Sequence, residues 1–232
     1  ADALRHDFVP PRVHERFDVH RTVAGGTLSP PGFATLVTGR YPIEHGVFNF
    51  SDRLQSGSQT IFNSFDGLNT GFYGGGGEVG NTLGNEYNQP DEPFELDDPF
   101  LLMERDLLTH APYAHSQSAL LPRQHRRYFT SVAKGYTNVI QDYRKAAELT
   151  FKRFEQRVET LRERNILENT LVILTSDHGE FLGEYGLIGH GHSITPEVAY
   201  VPTVVYSTGL DINQDVIGHT DLFKIIGKAL GQ

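Results

Sequence analysis

The segment LVILTSDHGE, residues 171–180, constrains the fold of this 232-residue chain more than any other feature. Its apolar start is typical of a short strand buried on both faces, and Gly179 lets the backbone turn sharply after it. Asp177 and His178 follow at the carboxyl end of that strand, where open α/β sheets place their ligand sites. Spacing alone leaves two interpretations open: a polar turn capped by Asp177, or half of a metal site.

Composition narrows the class of protein. The length suits one domain, residues 1–232, and no apolar run is long enough to cross a membrane. A formal net charge of −9 argues against nucleic acid and anionic membranes as partners, whereas an anionic substrate would need a local positive charge such as a metal. The absence of cysteine excludes disulfides and thiolate chemistry. No targeting segment is visible, but the chain opens at residues that are already past the place where one would lie, so the sequence leaves the compartment open, with cytoplasmic as the default guess.

The second half of the chain has the more regular pattern. Apolar residues recur at helical spacing over residues 136–161, which predicts a long amphipathic helix beginning near Tyr136. The strand of residues 171–175 follows, then a second buried strand at 201–206 and a helix over about 220–230. This order predicts a layered α/β domain. The glycine-rich run 75–80 matches a dinucleotide-binding pattern, but we expect a loop because the following residues are poor helix formers.

A second informative segment, TLSPPGFATLVTGRYPIEHG, covers residues 27–46 and contains Ser29. Serine followed by Pro30 reads first as a helix start, with Ser29 as N-cap and Pro30 at the first helical position. The same geometry would place the hydroxyl where backbone N–H groups and the helix dipole stabilise an anion. The pattern therefore leaves two roles open for Ser29, a helix cap and a nucleophile, and one residue can have both.

Several segments together resemble the sulfatase family of the alkaline phosphatase superfamily. In chain order they are DALRHD (2–7), SPPGFATLVTGRYPIEHG (29–46), HAPY (110–113), NTLVILTSDHGE (169–180), GHG (189–191), VPTVV (201–205) and HTDLF (219–223). The TGRYP…HG and TSDHGE segments are the most specific. The resemblance implies a three-layer α/β/α sandwich with a mostly parallel central sheet. The family places its first metal ligand after a central apolar strand, yet only Ala1 precedes Asp2, so we expect either a shortened chain or a fold without that strand.

The resemblance also implies roles for individual residues. It makes Asp2, Asp177 and His178 ligands of a divalent cation, which could be Ca²⁺, Mg²⁺, Mn²⁺ or Zn²⁺, and it makes Ser29 a further ligand and the nucleophile. It places His110 and His190 beside the transferred group or its leaving oxygen, where imidazole can donate a proton. For each histidine taken alone, a structural role is the alternative. His115, His192 and His219 are weaker candidates.

The chain departs from the family pattern at three places. Sulfatases convert the first residue of a C/S-x-P-x-R motif to formylglycine, but Phe33 stands where that arginine belongs. Ala3 replaces a second aspartate, and glycines around residues 74–77 replace a lysine and a histidine. These departures argue against modification of Ser29.

Three hypotheses about function follow. The first is a metal-dependent hydrolase of sulfate esters that uses Ser29 as nucleophile or as its precursor. The second is a phosphodiesterase or phosphotransferase with an unmodified Ser29. The third is a non-catalytic fragment or binding module of the same fold.

Overall fold

The computed structural model describes residues 1–84, 87–114, 122–135, 138–207 and 209–231. The α-helices are α1 Pro11–His14, α2 Ser29–Thr38, α3 Pro42–His45, α4 Gly77–Leu83, α5 Pro122–Ala133, α6 Val139–Glu163, α7 Pro196–Ala199 and α8 His219–Ala229. The strands are β1 Asp18–Val23, β2 Asn69–Tyr73, β3 Phe100–Glu104, β4 Val172–Thr175, β5 Phe181–Leu182, β6 Ile188–Gly189, β7 Tyr200–Tyr206 and β8 Val216–Gly218. Within this part of the chain, no helix is long and apolar enough to span a membrane.

A mixed four-stranded sheet forms the centre of the fold, in the order β4-β7-β1-β8. Strands β4, β1 and β8 run in one direction and β7 runs in the other, so most strands are parallel although β7 pairs antiparallel with both neighbours. Strands β2 and β3 form a separate parallel pair. The predicted α/β class with a mostly parallel sheet is confirmed.

Helices cover both faces of this sheet. The inner side of α6 packs against one face, where Phe151 and Phe154 join Val204 of β7 in a single apolar cluster. On the other face, Leu36 of α2 contacts Ile217 of β8 and Leu222 of α8. The result is the α/β/α layering that the family resemblance implies.

The elements predicted in the second half of the chain are present with small shifts in their ends. The long helix is α6, the two buried strands are β4 and β7, and the final helix is α8. Tyr136, which marks the predicted start of the long helix, lies outside the described residues. Apolar periodicity was sufficient here because each element buries one continuous apolar stripe or run.

Two local predictions were wrong. The glycine-rich run does not remain a loop, because residues 77–83 form α4. Val79 and Leu83 of that helix are buried in the core, and this packing outweighs the poor helix propensity of glycine. Ser29 is not the N-cap either: Leu28 has the extended cap conformation and Ser29 is the first helical residue. Its hydroxyl makes no capping bond, so it is available to the neighbouring site.

Strands β3 and β4 flank an apolar cavity of about 600 Å³, lined by consecutive residues of both strands. Ala1 is one of the residues that line it. The Ala1 amino group donates to the Thr175 carbonyl (2.6 Å), and the Asp177 amide donates to the Ala1 carbonyl (3.4 Å). On the opposite side the Asp2 amide donates to the Asp106 carbonyl (2.9 Å). Asp2 is therefore fixed between the segments that follow β3 and β4.

Candidate active site

Asp2, Asp177 and His178 lie together beyond the carboxyl end of β4, and all three are fully buried. One ligand atom of each lies within 4.8 Å of the other two. Two carboxylate oxygens, Oδ1 of Asp2 and Oδ2 of Asp177, are buried with no hydrogen-bond partner among the described residues. Unpaired buried carboxylate oxygens are costly, and a divalent cation is a partner suited to them. The donor set of two oxygens and one imidazole therefore fits such a cation.

The other oxygen of each carboxylate is held in place. Oδ1 of Asp177 accepts the amides of Ala3 and His178, both at 3.0 Å. Oδ2 of Asp2 accepts Nε and Nη2 of Arg105, at 3.1 and 2.6 Å. Burial alone would raise the pKa of Asp2, but the Arg105 guanidinium outweighs it and lowers that pKa well below its usual range. Asp2 is thus an ionised carboxylate with one oxygen free.

Ser29 and His178 meet across this cluster. Nδ1 of His178 lies 2.9 Å from the Gly179 carbonyl, and a carbonyl can only accept, so this nitrogen carries the proton. Burial lowers the pKa of His178, which favours the neutral ring with a lone pair on Nε2. That nitrogen lies 3.3 Å from Oγ of Ser29, whose side chain is buried. The serine hydroxyl therefore borders the same small volume as the free carboxylate oxygens.

The start of α2 offers fewer backbone N–H donors to an anion than the sequence suggested. Pro30 and Pro31 have no N–H, and the amide of Gly32 already donates to the Leu28 carbonyl at 3.0 Å. The bond from Gly32 is the first regular bond of the helix, so the amides normally left free at this start are those of residues 28–31, and the two prolines remove two of these four. The helix dipole remains, but positive charge for an anionic group would have to come from a cation or from histidines.

Histidine side chains form a row that leads away from the cluster. The ring centroids of His178 and His190 are 4.1 Å apart, those of His190 and His110 are 5.7 Å apart, and those of His110 and His125 are 5.2 Å apart. His125 belongs to α5 and was not predicted from the sequence. The row brings both predicted histidines, 110 and 190, to the cluster, while their roles stay predictions.

Glu180 sets the state of His190. Its Oε1 lies 3.0 Å from Nδ1 of His190, and the glutamate is fully buried. Burial lowers the pKa of His190, but the adjacent carboxylate outweighs this and raises the pKa to about 9. With Nδ1 engaged by Glu180, Nε2 is the nitrogen left for a ligand.

The three weaker histidine candidates lie elsewhere. His192 is exposed. His219 is buried and its Nδ1 accepts the Gly25 amide at 3.0 Å, a contact that supports the loop before α2. His115 lies outside the described residues.

Sequence reasoning missed Arg105, Glu180 and His125. Arg105 follows β3 directly, so the strand-end argument that selected Asp177 would also have selected it. Glu180 lies in the TSDHGE segment, two residues after His178. No signal in the sequence places His125 beside His110, because that contact depends on how α5 packs.

A close approach between α2 and the Asp177 backbone gives a test of this geometry. A Cβ on Gly32 would lie 2.5 Å from the Asp177 carbonyl oxygen. We expect Gly32→Ala to shift the Asp177 backbone, lower the free energy of unfolding by about 1–3 kcal/mol and weaken cation binding by about tenfold. Urea denaturation and calorimetric titration with Mn²⁺ would measure these effects.

Gly76→Ala is the matched control. A Cβ on Gly76 would meet only Oε1 of Gln89 at 4.0 Å, and the backbone φ of −75° suits any residue. Native stability and native Mn²⁺ affinity in the Gly32→Ala variant would contradict the close packing of α2 on the Asp177 backbone.

Comparison with known proteins shows the family to which this chain belongs. The sequence profile of the sulfatase family matches residues 93–231, and the chain belongs to that family. A relative, the low-salt glycan biosynthesis sulfotransferase Agl7 of Haloferax volcanii, is 26% identical over 235 residues, which cover 94% of this chain and 55% of the relative. The chain thus spans about half the length of this curated relative.

Solved structures share the fold at low sequence identity. A 2-O GAG sulfatase superposes with a TM-score of 0.73 and 17% identity, over 99% of this chain and 69% of that one. The periplasmic domain of the phosphoethanolamine transferase EptC from Campylobacter jejuni gives a TM-score of 0.67 and 16% identity, over 94% and 79% of the two chains. The fold is therefore that of the alkaline-phosphatase-like sulfatases, which hydrolases and transferases share.

Proposed function

We propose that this chain cleaves sulfate esters by nucleophilic attack of an unmodified Ser29 and passes the sulfuryl group to water. The observation that carries the proposal is the position of Ser29 Oγ, buried 3.3 Å from His178 Nε2 and beside two carboxylates with free oxygens. A family serine placed among metal-type donors has few roles other than nucleophile. The sulfotransferase name of the curated relative supports sulfuryl chemistry and suggests a hydroxyl group as an alternative acceptor.

Asp2, Asp177, His178 and Ser29 would hold the divalent cation. When bound, it would supply positive charge that favours loss of the Ser29 proton to solvent and neutralises the ester oxygens. The chain itself contributes the fixed carboxylates and the buried serine. Arg105 is given no contact with the substrate, because its Nε and Nη2 already donate to carboxylates of this chain.

The chemical steps then use residues of this chain. The Ser29 oxygen attacks sulfur, so that an Oγ–S bond forms and the bond from sulfur to the leaving oxygen breaks. His190 or His110 donates a proton to that leaving oxygen, and Glu180 keeps Nδ1 of His190 occupied so that Nε2 does this work. Water then attacks the serine sulfate, its proton leaves to solvent, and the S–Oγ bond breaks to regenerate Ser29.

Transfer of a phosphoryl-type group is the second candidate. Phe33 in place of the motif arginine and the fold shared with a phosphoethanolamine transferase favour it. Both candidates use the same serine and the same cation site, and they differ only in the atom attacked.

A substrate panel tests the proposal. We expect the chain with Mn²⁺ or Ca²⁺ to hydrolyse p-nitrophenyl sulfate faster than p-nitrophenyl phosphate or bis(p-nitrophenyl) phosphate. Mass spectrometry of the peptide containing Ser29 should give the mass of ordinary serine. Turnover of the phosphate esters alone would support the second candidate. A formylglycine mass would refute the unmodified nucleophile. If the chain neither turns over any ester nor binds a cation, the non-catalytic module is the best account.

A further inference from the structure

Arg105 is the most deeply buried arginine in contact with the site. Only 3% of it is exposed, and its guanidinium donates twice to Oδ2 of Asp2 and once to Oε1 of Glu78, the last at 3.2 Å. Its Nε and Nη2 are thus both engaged by carboxylates of this chain. Its contacts run to a candidate metal ligand and to a residue of helix α4.

The same guanidinium lies over the ring of Phe33, with its Cζ 5.4 Å from the ring centroid. The resemblance to the sulfatase family implies an arginine at position 33 of the motif that begins at Ser29, whereas this chain has phenylalanine there. The positive charge absent from the motif is therefore present next to it in space, supplied by the residue after β3. An arginine over an aromatic face is a favourable cation–π arrangement, which explains why an aromatic side chain is suited to position 33.

We propose that Arg105 replaces the motif arginine as the positioning residue of the cation site: it occupies one oxygen of Asp2 so that the other faces the cation. The inference rests on the proposed function, because it takes Asp2 to be a ligand. Arg105 donates from both Nε and Nη2 to a single oxygen of Asp2, and these two bonds fix the rotation of the Asp2 carboxylate.

A merely neutralising role for Arg105 predicts an opposite effect on cation affinity. If the guanidinium only offset the charge of Asp2, its removal would free a second carboxylate oxygen and remove a repulsive positive charge, so a divalent cation would bind more tightly. If Arg105 positions Asp2, its removal lets the carboxylate rotate, and binding weakens. The sign of the change in Mn²⁺ affinity therefore separates the two roles.

The test uses calorimetric titration of the full chain with Mn²⁺. We expect Arg105→Met to weaken Mn²⁺ binding by about tenfold, in the range for residues that orient metal ligands, and Arg105→Lys to weaken it less. Arg157→Met is the matched control, since that arginine donates Nε and Nη2 to Glu104 at 2.9 and 3.0 Å in a similar way but is partly exposed. Its Mn²⁺ affinity should stay within about twofold of the native value.

A reciprocal exchange makes the test specific. Arg105→Phe should weaken Mn²⁺ binding, and adding Phe33→Arg should restore most of it, because the guanidinium returns to the neighbouring position. Unchanged or tighter binding in Arg105→Met, or no rescue in the exchanged double variant, would overturn the proposal. If Arg105→Met does not fold by circular dichroism, Arg105→Lys decides, since native affinity there would contradict a role that needs the planar two-donor contact.

Failure of this inference is distinguishable from failure of the proposed function. The Asp177→Asn variant removes a ligand without touching Arg105. If Asp177→Asn loses Mn²⁺ binding while Arg105→Met keeps it, the cation site is supported and only the positioning role of Arg105 is refuted. If Asp177→Asn also binds normally, the site itself is wrong.

Discussion

Replacement of Ser29 by alanine should lower kcat/KM for p-nitrophenyl sulfate by about 10³-fold or more, which corresponds to about 4 kcal/mol of transition-state stabilisation. The reason is that alanine removes the oxygen that attacks sulfur and leaves every fixed carboxylate in place. The fold should be nearly unaffected, because the Ser29 hydroxyl makes no capping bond and its hydrogen-bond contact among the described residues is Nε2 of His178. Initial rates at several substrate concentrations, with a melting curve for each variant, would measure both effects.

Ser58→Ala is the control for a serine that carries no chemistry. Its hydroxyl donates to the Gln55 carbonyl at 2.7 Å in an exposed turn, so its loss should leave kcat/KM unchanged. Retention of more than about a tenth of the native rate by Ser29→Ala would show that another group attacks the ester.

The second large effect is expected from Asp177→Asn. Asparagine can keep an oxygen toward the Ala3 and His178 amides, but it replaces the free Oδ2 by an NH₂ group that cannot bind a cation. We expect Mn²⁺ binding to weaken by about 100-fold and turnover to be lost with it. Without metal, the variant should be as stable as the native chain or more stable by about 1 kcal/mol, because an unpaired buried charge is removed. Calorimetric titration and urea denaturation in EDTA would measure the two quantities.

The opposite signs of these effects make the prediction specific. A purely structural Asp177 would lower stability when replaced and would not change cation binding. The exposed Asp215 provides a matched control. Asp215→Asn makes the same change of charge at a surface residue that is distant in sequence from the candidate ligands. Mn²⁺ affinity within about threefold of native in Asp177→Asn would exclude this residue as a ligand.

Much of the second half of the fold was predictable from the sequence. Helix α6 and strands β4 and β7 bury a stripe or run of apolar residues, and such patterns are local. Strand β1 was not predicted, although it lies inside the sheet between β7 and β8. Its buried positions are polar: His20 and Thr22 point inward, and Thr22 lies 2.6 Å from the Thr203 hydroxyl of β7. Alternation of apolar residues cannot reveal a strand whose inner face is satisfied by hydrogen bonds.

The prediction of a loop at α4 was wrong for a related reason. A run rich in glycine has little intrinsic tendency to form a helix, and local sequence indicates a loop. Its helical form depends on distant partners: Val79 and Leu83 pack into the core, and Glu78 bonds Arg105. Tertiary contacts of this kind override propensity without leaving a local pattern.

The sequence by itself determined which donors could meet: a carboxylate and an imidazole at the end of β4, a serine before two prolines, and an aspartate near the start. Asp177 and His178 follow the abrupt end of an apolar segment, and the resemblance to a family added Asp2 and the role of Ser29. Only the tertiary structure decided which oxygen of each carboxylate is free, that Ser29 is the first helical residue with Leu28 as N-cap, and that Arg105 lies over Phe33. Hydrogen-bond partners distant in the chain fix these features, and the spacing of residues along a sequence carries no record of them.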